Sequence, residues 1–599
     1  MKQKLLLIIS LFLVTIANSQ EKGYCNRLSY SFDPLFAPFY HGVASGDALS
    51  DRVIIWTRVT SMAIVDSIEV KWFVATDTLF TDVVASGTLW TNENRDYTVK
   101  VDVTGLQPKT WYYYYFNAME TNSVIGRTKT IPVGATDSVR IAVVSGSNYN
   151  NGYFNAYQSM ADRNDYDAVF HLGDYIYEYG TGEYGTHSDR ELMPAYEITN
   201  LEDYRMRYSH YRLDPNLRFA HQQYPWYVIY DDHETANNSW SGGAENHTEG
   251  SEGNWNDRKA AGIRAFFEWI PIRDNPDSTI FRTFNYGDLA GFIFLDTRLE
   301  GRDDPDGLAV DDPSKTMLGT AQYNWFTNEL LTAQHVNNIH WKFISQQVMF
   351  APLKFLGITL NTDQWDGYEV ERQKILNYVY GMGIQNTVVL TGDIHTSWAM
   401  DVPNPTLGEY GDNGQGCGFV EFVTPSVTSP STDFGAGIGQ SVIMSANEHI
   451  KWVDLANRGY FILDVNLNRC QADWYFINDI NSQNYIETFA DAWFVNYGET
   501  FLRHSLVPSM RVPPFQAFAP VFPDQTVEKA EYESEVVIMG LYPNPCTDKI
   551  MVQFYLRSIQ EIKISIIDNL GKEIINQKFV NTCLDLNYCQ INTGNISPG

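Results

Sequence analysis

Acidic and imidazole side chains recur at the ends of short apolar runs in this chain. The run from Ala168 to Leu172 ends in Gly173-Asp174, with Tyr177 three residues further on. Tyr230-Asp231-Asp232-His233-Glu234 is a second such cluster, and Val389-Leu390-Thr391-Gly392-Asp393-Ile394-His395 is a third. Short apolar runs closed by glycine read as buried strands. The carboxyl edge of such strands is where open α/β sheets place their ligands. Taken one at a time, a Gly-Asp pair is a turn, a loop aspartate is a helix cap and a lone histidine is a satisfied core residue. Asp174, Tyr177, Asp232, Asp393 and His395 at successive strand ends have a sharper joint reading. They are the donor set of a multi-metal hydrolytic site.

Such residues need a scaffold that brings separate strand ends together. Apolar stretches at 139–145, 169–172, 226–230, 291–295, 342–344 and 387–390 alternate with helical patterns at 155–163, 257–269 and 321–332. Strand–helix alternation with acidic residues at strand ends predicts a layered α/β domain over 139–520. Long polar loops such as 300–319 are expected to be functional or mobile. Before it, 38–133 reads as all β. Val53-Ile54-Ile55-Trp56-Thr57-Arg58 and the alternating Tyr97-Thr98-Val99-Lys100-Val101-Asp102-Val103 are short strands between turns, and Gly105-Leu106-Gln107-Pro108 leads into Trp111-Tyr112-Tyr113-Tyr114-Tyr115-Phe116. This succession predicts an immunoglobulin- or fibronectin-like sandwich, with its tyrosines in the packing. After about 521 the composition changes to a short β-rich tail over 537–599, in which Ile562-Lys563-Ile564-Ser565-Ile566-Ile567-Asp568 is a clear strand.

Acidic residues outnumber basic ones by 72 to 42, a formal net charge of −30. That surface repels nucleic acid and anionic membranes. Lys2 and Lys4 precede an apolar run from Leu5 to Ile16, and Ala17-Asn18-Ser19 supplies small residues for cleavage, which predicts an export signal over 1–19. A run of that length is too short to span a bilayer, and no other run is long enough. No Arg-Arg pair precedes it, which points to the general export route and a secreted or cell-surface protein. The six cysteines form no CxxC motif and leave any pairing open.

Several blocks together resemble the PhoD-type alkaline phosphatases of the metallophosphoesterase superfamily. They are His41-Gly42-Val43-Ala44-Ser45-Gly46-Asp47, the stretch from His171 to Gly180, Asp231-Asp232-His233-Glu234 with Asn237-Asn238, Leu295-Asp296-Thr297-Arg298, Asp366-Gly367-Tyr368, and Thr391-Gly392-Asp393-Ile394-His395 with Ser397-Trp398-Ala399. The resemblance covers nearly all of 39–502 and implies a metal-dependent phosphatase acting on phosphoester small molecules. It implies Asp174 as a bridge between ions, Tyr177 and His395 beside it at one ion, and Asp232 and Asp393 at another. His233 then protonates the leaving oxygen or the phosphoryl group, and Arg258 matches a basic position that steadies the phosphate. A phosphodiesterase or phospholipase-D-like activity fits the same motifs, and a surface binding protein without catalysis is the alternative of another class. The tail is similar to the C-terminal sorting domain of the type IX secretion machinery, through Tyr542-Pro543-Asn544-Pro545, Asn569-Leu570-Gly571-Lys572 and the ending Asn595-Ile596-Ser597-Pro598-Gly599, and reads as cut short.

The chain departs from the family pattern at Ser145-Gly146-Ser147-Asn148, where Gly146 stands in place of a cysteine that ligates Fe(III). Loss of a soft thiolate predicts a shift toward harder ions such as Ca²⁺, with Ser145, Ser147 or Asn148 as substitute oxygen donors. From Ser345-Gln346-Gln347, where the wider superfamily often has a histidine, an amide oxygen is expected to favour calcium as well.

Overall fold

The computed structural model describes residues 32–520 apart from 62–65, 276, 356, 432–438 and 512–515, together with the backbone of isolated strands at 13–14 and between 536 and 592. Apart from 13–14, the expected export signal lies outside the described residues, as do the tail motifs at 543–545, 569–572 and 595–599. Residues His41–Val59 and Ser67–Pro523 form one compact unit.

This unit opens with β1 (Val43–Gly46), β2 (Arg52–Arg58), β3 (Ile68–Ala75), β4 (Val83–Thr91), β5 (Thr98–Thr104), β6 (Trp111–Ala118) and β7 (Gly126–Lys129). There follow β8 (Ser138–Val144), α1 (Asn155–Asp162), β9 (Ala168–His171), α2 (Leu201–Arg212), α3 (Pro215–Gln223), β10 (Pro225–Val228) and α4 (Trp255–Trp269). A second run holds β11 (Arg282–Tyr286), β12 (Ala290–Phe294), α5 (Gly319–His335), β13 (Trp341–Gln346), α6 (Glu369–Gly381), β14 (Thr387–Thr391), β15 (Ser397–Pro403), β16 (Cys417–Val423) and β17 (Ile450–Asp454). The chain then returns through β18 (Arg458–Asn466), β19 (Arg469–Ile477), β20 (Glu487–Asn496) and β21 (Arg503–Ser505).

Two large sheets result. One runs β21-β20-β19-β18-β8-β9-β10-β1-β2-β5, the other β11-β12-β13-β14-β16-β15-β17. In each, four successive strands are parallel: β8, β9, β10 and β1 in the first, β12, β13, β14 and β16 in the second. Parallel strands covered on both faces are apolar throughout, and every residue of β9 and β14 is buried. Phe170 of β9 meets Phe292 and Phe294 of β12 at ring-centre distances of 4.9 and 5.0 Å, so the two sheets interlock. On the outer face of the second sheet, Phe326 and Leu330 of α5 and Ile375, Leu376 and Val379 of α6 close the core. On the first, Tyr157 of α1 and His221 of α3 pack on Trp226. The layered α/β architecture is present as expected.

Strands β3, β4, β6 and β7 form a separate sheet, but β1, β2 and β5 extend the ten-stranded one. The all-β segment therefore shares hydrogen bonds with the α/β part, through Pro225↔Ser45 and Trp226↔Gly46. Helices α2 and α3 were not legible from apolar periodicity, because α2 buries tyrosines and Arg207 rather than aliphatic side chains. Loop 300–319 is ordered: the Lys315 ammonium donates to the carbonyls of Pro305 (2.5 Å) and Leu308 (3.0 Å). Cys417 and Cys470 are buried free thiols. In the tail, which belongs to a different compact unit, Val536–Tyr542, Lys549–Leu556 and Asp585–Asn592 form an antiparallel sheet and Ile562–Ile567 pairs with Glu573–Phe579.

Candidate active site

The parallel strands of both sheets end at one edge. Ser145, after β8, bridges to Ser426, after β16, and Thr424 Oγ1 donates to the Val143 carbonyl at 3.0 Å. Loops after β8, β9 and β10 thus meet loops after β12, β14 and β16. Several leave their strands through left-handed backbone: Gly173 has φ 105°, Asp174 57°, Asp393 59° and His395 59°. Aspartate tolerates that region better than most side chains, and local strain of this kind is found at functional sites. A Cβ on Gly173 would lie 2.3 Å from Asp231 Cβ, so only glycine lets the first loop close on the second. Glu234 fastens the two. Its carboxylate accepts from the N–H groups of Asp174 (3.2 Å), Asp231 (2.8 Å) and Tyr175.

All five expected metal ligands come together. Tyr177 donates its hydroxyl to Asp174 Oδ2 at 2.8 Å, and His395 Nε2 lies 3.0 Å from the same oxygen and 2.9 Å from the Tyr177 hydroxyl. Ligand atoms of Asp174, Asp232 and His233 fall within 4.8 Å of one another, as do those of Asp231, Asp232 and Asp393. Asp232 belongs to both groups. Asp174 Oδ1 and Asp231 Oδ2 are buried without a hydrogen-bond partner, which is costly for an anionic oxygen unless a cation meets it. Burial pushes the carboxyls of Asp174 and Asp393 up to about 7, with neighbouring carboxylates adding to the effect. Orphaned oxygens and mutually repelling carboxylates at hard donor atoms fit bound metal cations.

Arg298, part of a quoted motif but given no role there, lies fully buried among these acids. Its Nε donates to Asp231 Oδ1, Nη1 to Asp363 Oδ2 at 2.6 Å and Nη2 to Asp393 Oδ1, with Asp232 Oδ1 3.8 Å away. Arg302 donates to Asp363 from the other side. The signal available was an arginine four residues past the apolar strand β12. Asp363 carried none, because it lies in a loop far along the chain.

His233 Nδ1 is 2.7 Å from Glu178 Oε2, and its ring is packed against Tyr177 (4.2 Å between ring centres) and Tyr184. Burial alone would lower the proton affinity of this imidazole, but Asp232, Glu178 and Asp174 together raise it well above the usual value. Asp232 is held low: burial pushes it up, but Arg298, His233 and the Asn238 N–H (2.6 Å) outweigh that.

Arg258 is held by acidic and phenolic partners. It is buried on α4 with Nη2 2.7 Å from Glu197 Oε1, Nη1 3.3 Å from Glu252 and Nε 3.2 Å from the Tyr204 hydroxyl. Among the described residues no hydrogen bond or ion pair joins it to the carboxylate cluster. Asn246 Nδ2 reaches both Glu197 (3.4 Å) and Glu178 (2.8 Å), so a chain through Glu197 and Asn246 links Arg258 to the anchor of His233. Helix spacing could not show this, because the partners come from loops.

Around Gly146 the backbone is crowded and only some of the expected oxygen donors are free. Its φ is +68°, and an added Cβ would lie 2.7 Å from Ser426 Cβ and 3.0 Å from His395 Cδ2. Ser147 Oγ is taken by the Tyr157 hydroxyl. Ser145 Oγ and Asn148 Oδ1 remain unpartnered and buried. An unforeseen hydroxyl, Ser429 Oγ, donates to the Tyr177 hydroxyl at 2.6 Å. Gln347 offers nothing to an ion. Its Oε1 accepts from Thr297 N–H and Oγ1 (3.1 and 2.7 Å), while Gln346 Oε1 accepts from Trp365 Nε1 at 3.1 Å. Both amides are structural ties between strands.

Comparison with known proteins agrees with this geometry. The family model described as PhoD-like phosphatase matches residues 141–474, its N-terminal domain model matches 29–132, and a secretion system C-terminal sorting domain model matches 540–599. The chain is 35% identical over 466 residues to alkaline phosphatase D of Bacillus subtilis (strain 168), covering 73% of this chain and 77% of that one. A solved structure described as "Structure of PhoD" superposes with a TM-score of 0.71 at 33% identity, over 79% of this chain and 93% of that chain. Among the described residues no helix is long and apolar enough to cross a membrane. With one acidic cluster built at the strand ends that the family model spans, the chain belongs to the PhoD-like phosphatase family.

Proposed function

We propose that the chain is an exported, metal-dependent phosphatase that hydrolyses phosphoesters at this cluster and releases inorganic phosphate. The observation that carries the reading is the convergence of Asp174, Tyr177, Asp232, Asp393 and His395, with an unpartnered Asp174 oxygen, beside His233. Asp174, Tyr177 and His395 would hold one ion, and Asp232 and Asp393, with Asp231 beside them, a second. A set of oxygen donors with a single imidazole, and the absence of a thiolate at Gly146, favour Ca²⁺ over Fe(III). Bound cations supply Lewis-acid activation of water and neutralise charge on the phosphoryl oxygens.

The remaining work falls to side chains. Glu178 fixes the His233 ring through Nδ1, which leaves Nε2 to face the cluster. As the phosphorus–oxygen bond of the ester breaks, an imidazolium there gives its proton to the leaving oxygen. Arg298 keeps the carboxylates of Asp231 and Asp393 in place without taking them out of the site. The tail would direct the protein out of the cell, and a chain ending before 541 should keep its activity but stay inside. Metal analysis of purified protein beside its rates on a phosphomonoester and a phosphodiester tests the central claim. Metal-free protein with full activity would overturn it.

A further inference from the structure

Of the arginines at or near the site, Arg298 and Arg258 have an acceptor at every guanidinium nitrogen. Arg298 gives its donors to Asp231, Asp363 and Asp393, and Arg258 gives its own to Glu197, Glu252 and Tyr204. Arg458, at the start of β18, is different. Among the described residues one hydrogen bond, from Nη1 to the Ala456 carbonyl at 2.6 Å, is its side-chain partner, and its Nε is enclosed without an acceptor. Among the described residues no carboxylate lies within ion-pair distance of it. A guanidinium has five N–H donors, and a chain of net charge −30 has carboxylates to spare for pairing. Asp454 acts on Arg458 only from beyond ion-pair distance, so a half-buried arginine with an orphaned Nε calls for an anion from outside.

Its position says which anion. Gly459, the next residue, donates its N–H to the Ser426 carbonyl at 2.9 Å, and Ser426 forms the wall against Gly146 and near His395. Three residues on, Ser429 holds the Tyr177 hydroxyl. The positive charge of Arg458 acts on Tyr177, Tyr184 and His395. It therefore stands on the Tyr177 side of the site.

We propose that Arg458 is a substrate-binding residue that takes a non-bridging phosphoryl oxygen and so selects dianionic phosphomonoesters over diesters. This deepens the phosphoesterase reading and rests on it. A monoester presents three non-bridging oxygens and nearly two charges, a diester two oxygens and one charge. A cation pair at the cluster would meet the two non-bridging oxygens that both esters share, while His233 serves the leaving oxygen, and the third non-bridging oxygen exists only in the monoester. Charge-assisted hydrogen bonds of this kind favour arginine for its forked geometry.

The test compares metal-loaded wild type with R458Q and R458K on p-nitrophenyl phosphate and bis-p-nitrophenyl phosphate. Binding of inorganic phosphate is measured beside the rates by calorimetry. R458Q should lose about tenfold or more in kcat/KM on the monoester and in phosphate affinity, but less than about threefold on the diester. R458K should recover part of both losses, with metal content and Tm equal to wild type. Equal losses on the two esters, or unchanged phosphate affinity in R458Q, would overturn the proposal. Wild-type protein that hydrolysed neither ester would sink the phosphoesterase reading, whereas calorimetry would still decide whether Arg458 binds phosphate.

Discussion

Glu178 and His233 lie 55 residues apart in the chain and 2.7 Å apart in the fold, Oε2 to Nδ1. The other oxygen of Glu178 accepts from the Asn237 N–H at 2.7 Å and from Asn246 Nδ2 at 2.8 Å. The carboxylate is thus fixed on both sides, and it fixes the imidazole in turn. Replacing His233 by alanine should leave metals bound and slow hydrolysis roughly 10²–10⁴-fold. The loss should be larger for alkyl than for aryl phosphates, because poor leaving groups need the proton. Equal losses for both would show that His233 does not protonate the leaving oxygen.

Asp174 joins the Tyr177–His395 pair to the carboxylate cluster. Asp174→Asn removes one negative charge at the centre of the donor set and should lower activity by several orders of magnitude while the protein stays folded. A rate within about tenfold of wild type, only ~1.4 kcal/mol of barrier, would remove Asp174 from the site.

Metal removal should make stability depend on pH in a defined direction. Burial holds the Asp174 and Asp393 carboxyls up to about 7, against 3.8 for the free side chain. Between those values the folded metal-free protein binds more protons than the unfolded chain, so its stability falls as pH rises through that window. Chelator-treated protein should melt at lower temperature near pH 8 than near pH 5, and Ca²⁺ should restore more at the higher pH. A melting temperature that climbed across this interval in stripped protein would contradict the assignment.

Arg298 compensates Asp231, Asp363 and Asp393 in a dry environment. Arg298→Met would leave Asp231 and Asp393 buried without their arginine, while Arg302 still holds Asp363, a loss of about 3–5 kcal/mol by analogy with other broken buried pairs. Denaturant unfolding measures it, and a loss under about 1 kcal/mol would show that bound cations carry the compensation alone.

Gly146 bears on the identity of the ion. A tyrosinate on Fe(III) absorbs visible light, so protein that holds calcium instead should be colourless, and Ca²⁺ should support its activity after stripping. A purple preparation with stoichiometric iron would show that loss of the thiolate has not displaced iron. Gly146→Cys should not simply restore a ligand, because its Cβ would press on Ser426 from a left-handed backbone.

Much of this protein was legible before any coordinates. Local order determined the parallel strands, because buried strands must be apolar along their whole length and the acids that end them stand out against that background. The proposed ligands Asp174, Tyr177, Asp232, Asp393 and His395, and the proposed proton donor His233, were readable for that reason. Tertiary structure alone decided what surrounds them. It seated Arg298 between loops 231 and 393, drew Asp363 in from a distant loop, set Arg258 behind Glu197 and left Arg458 unpaired. It also turned Gln347 into a tie for Thr297 and ran β1, β2 and β5 into the large sheet. Charged and amide side chains choose partners by proximity in space, and that proximity arises only when two sheets pack face to face and bring distant loops to one edge.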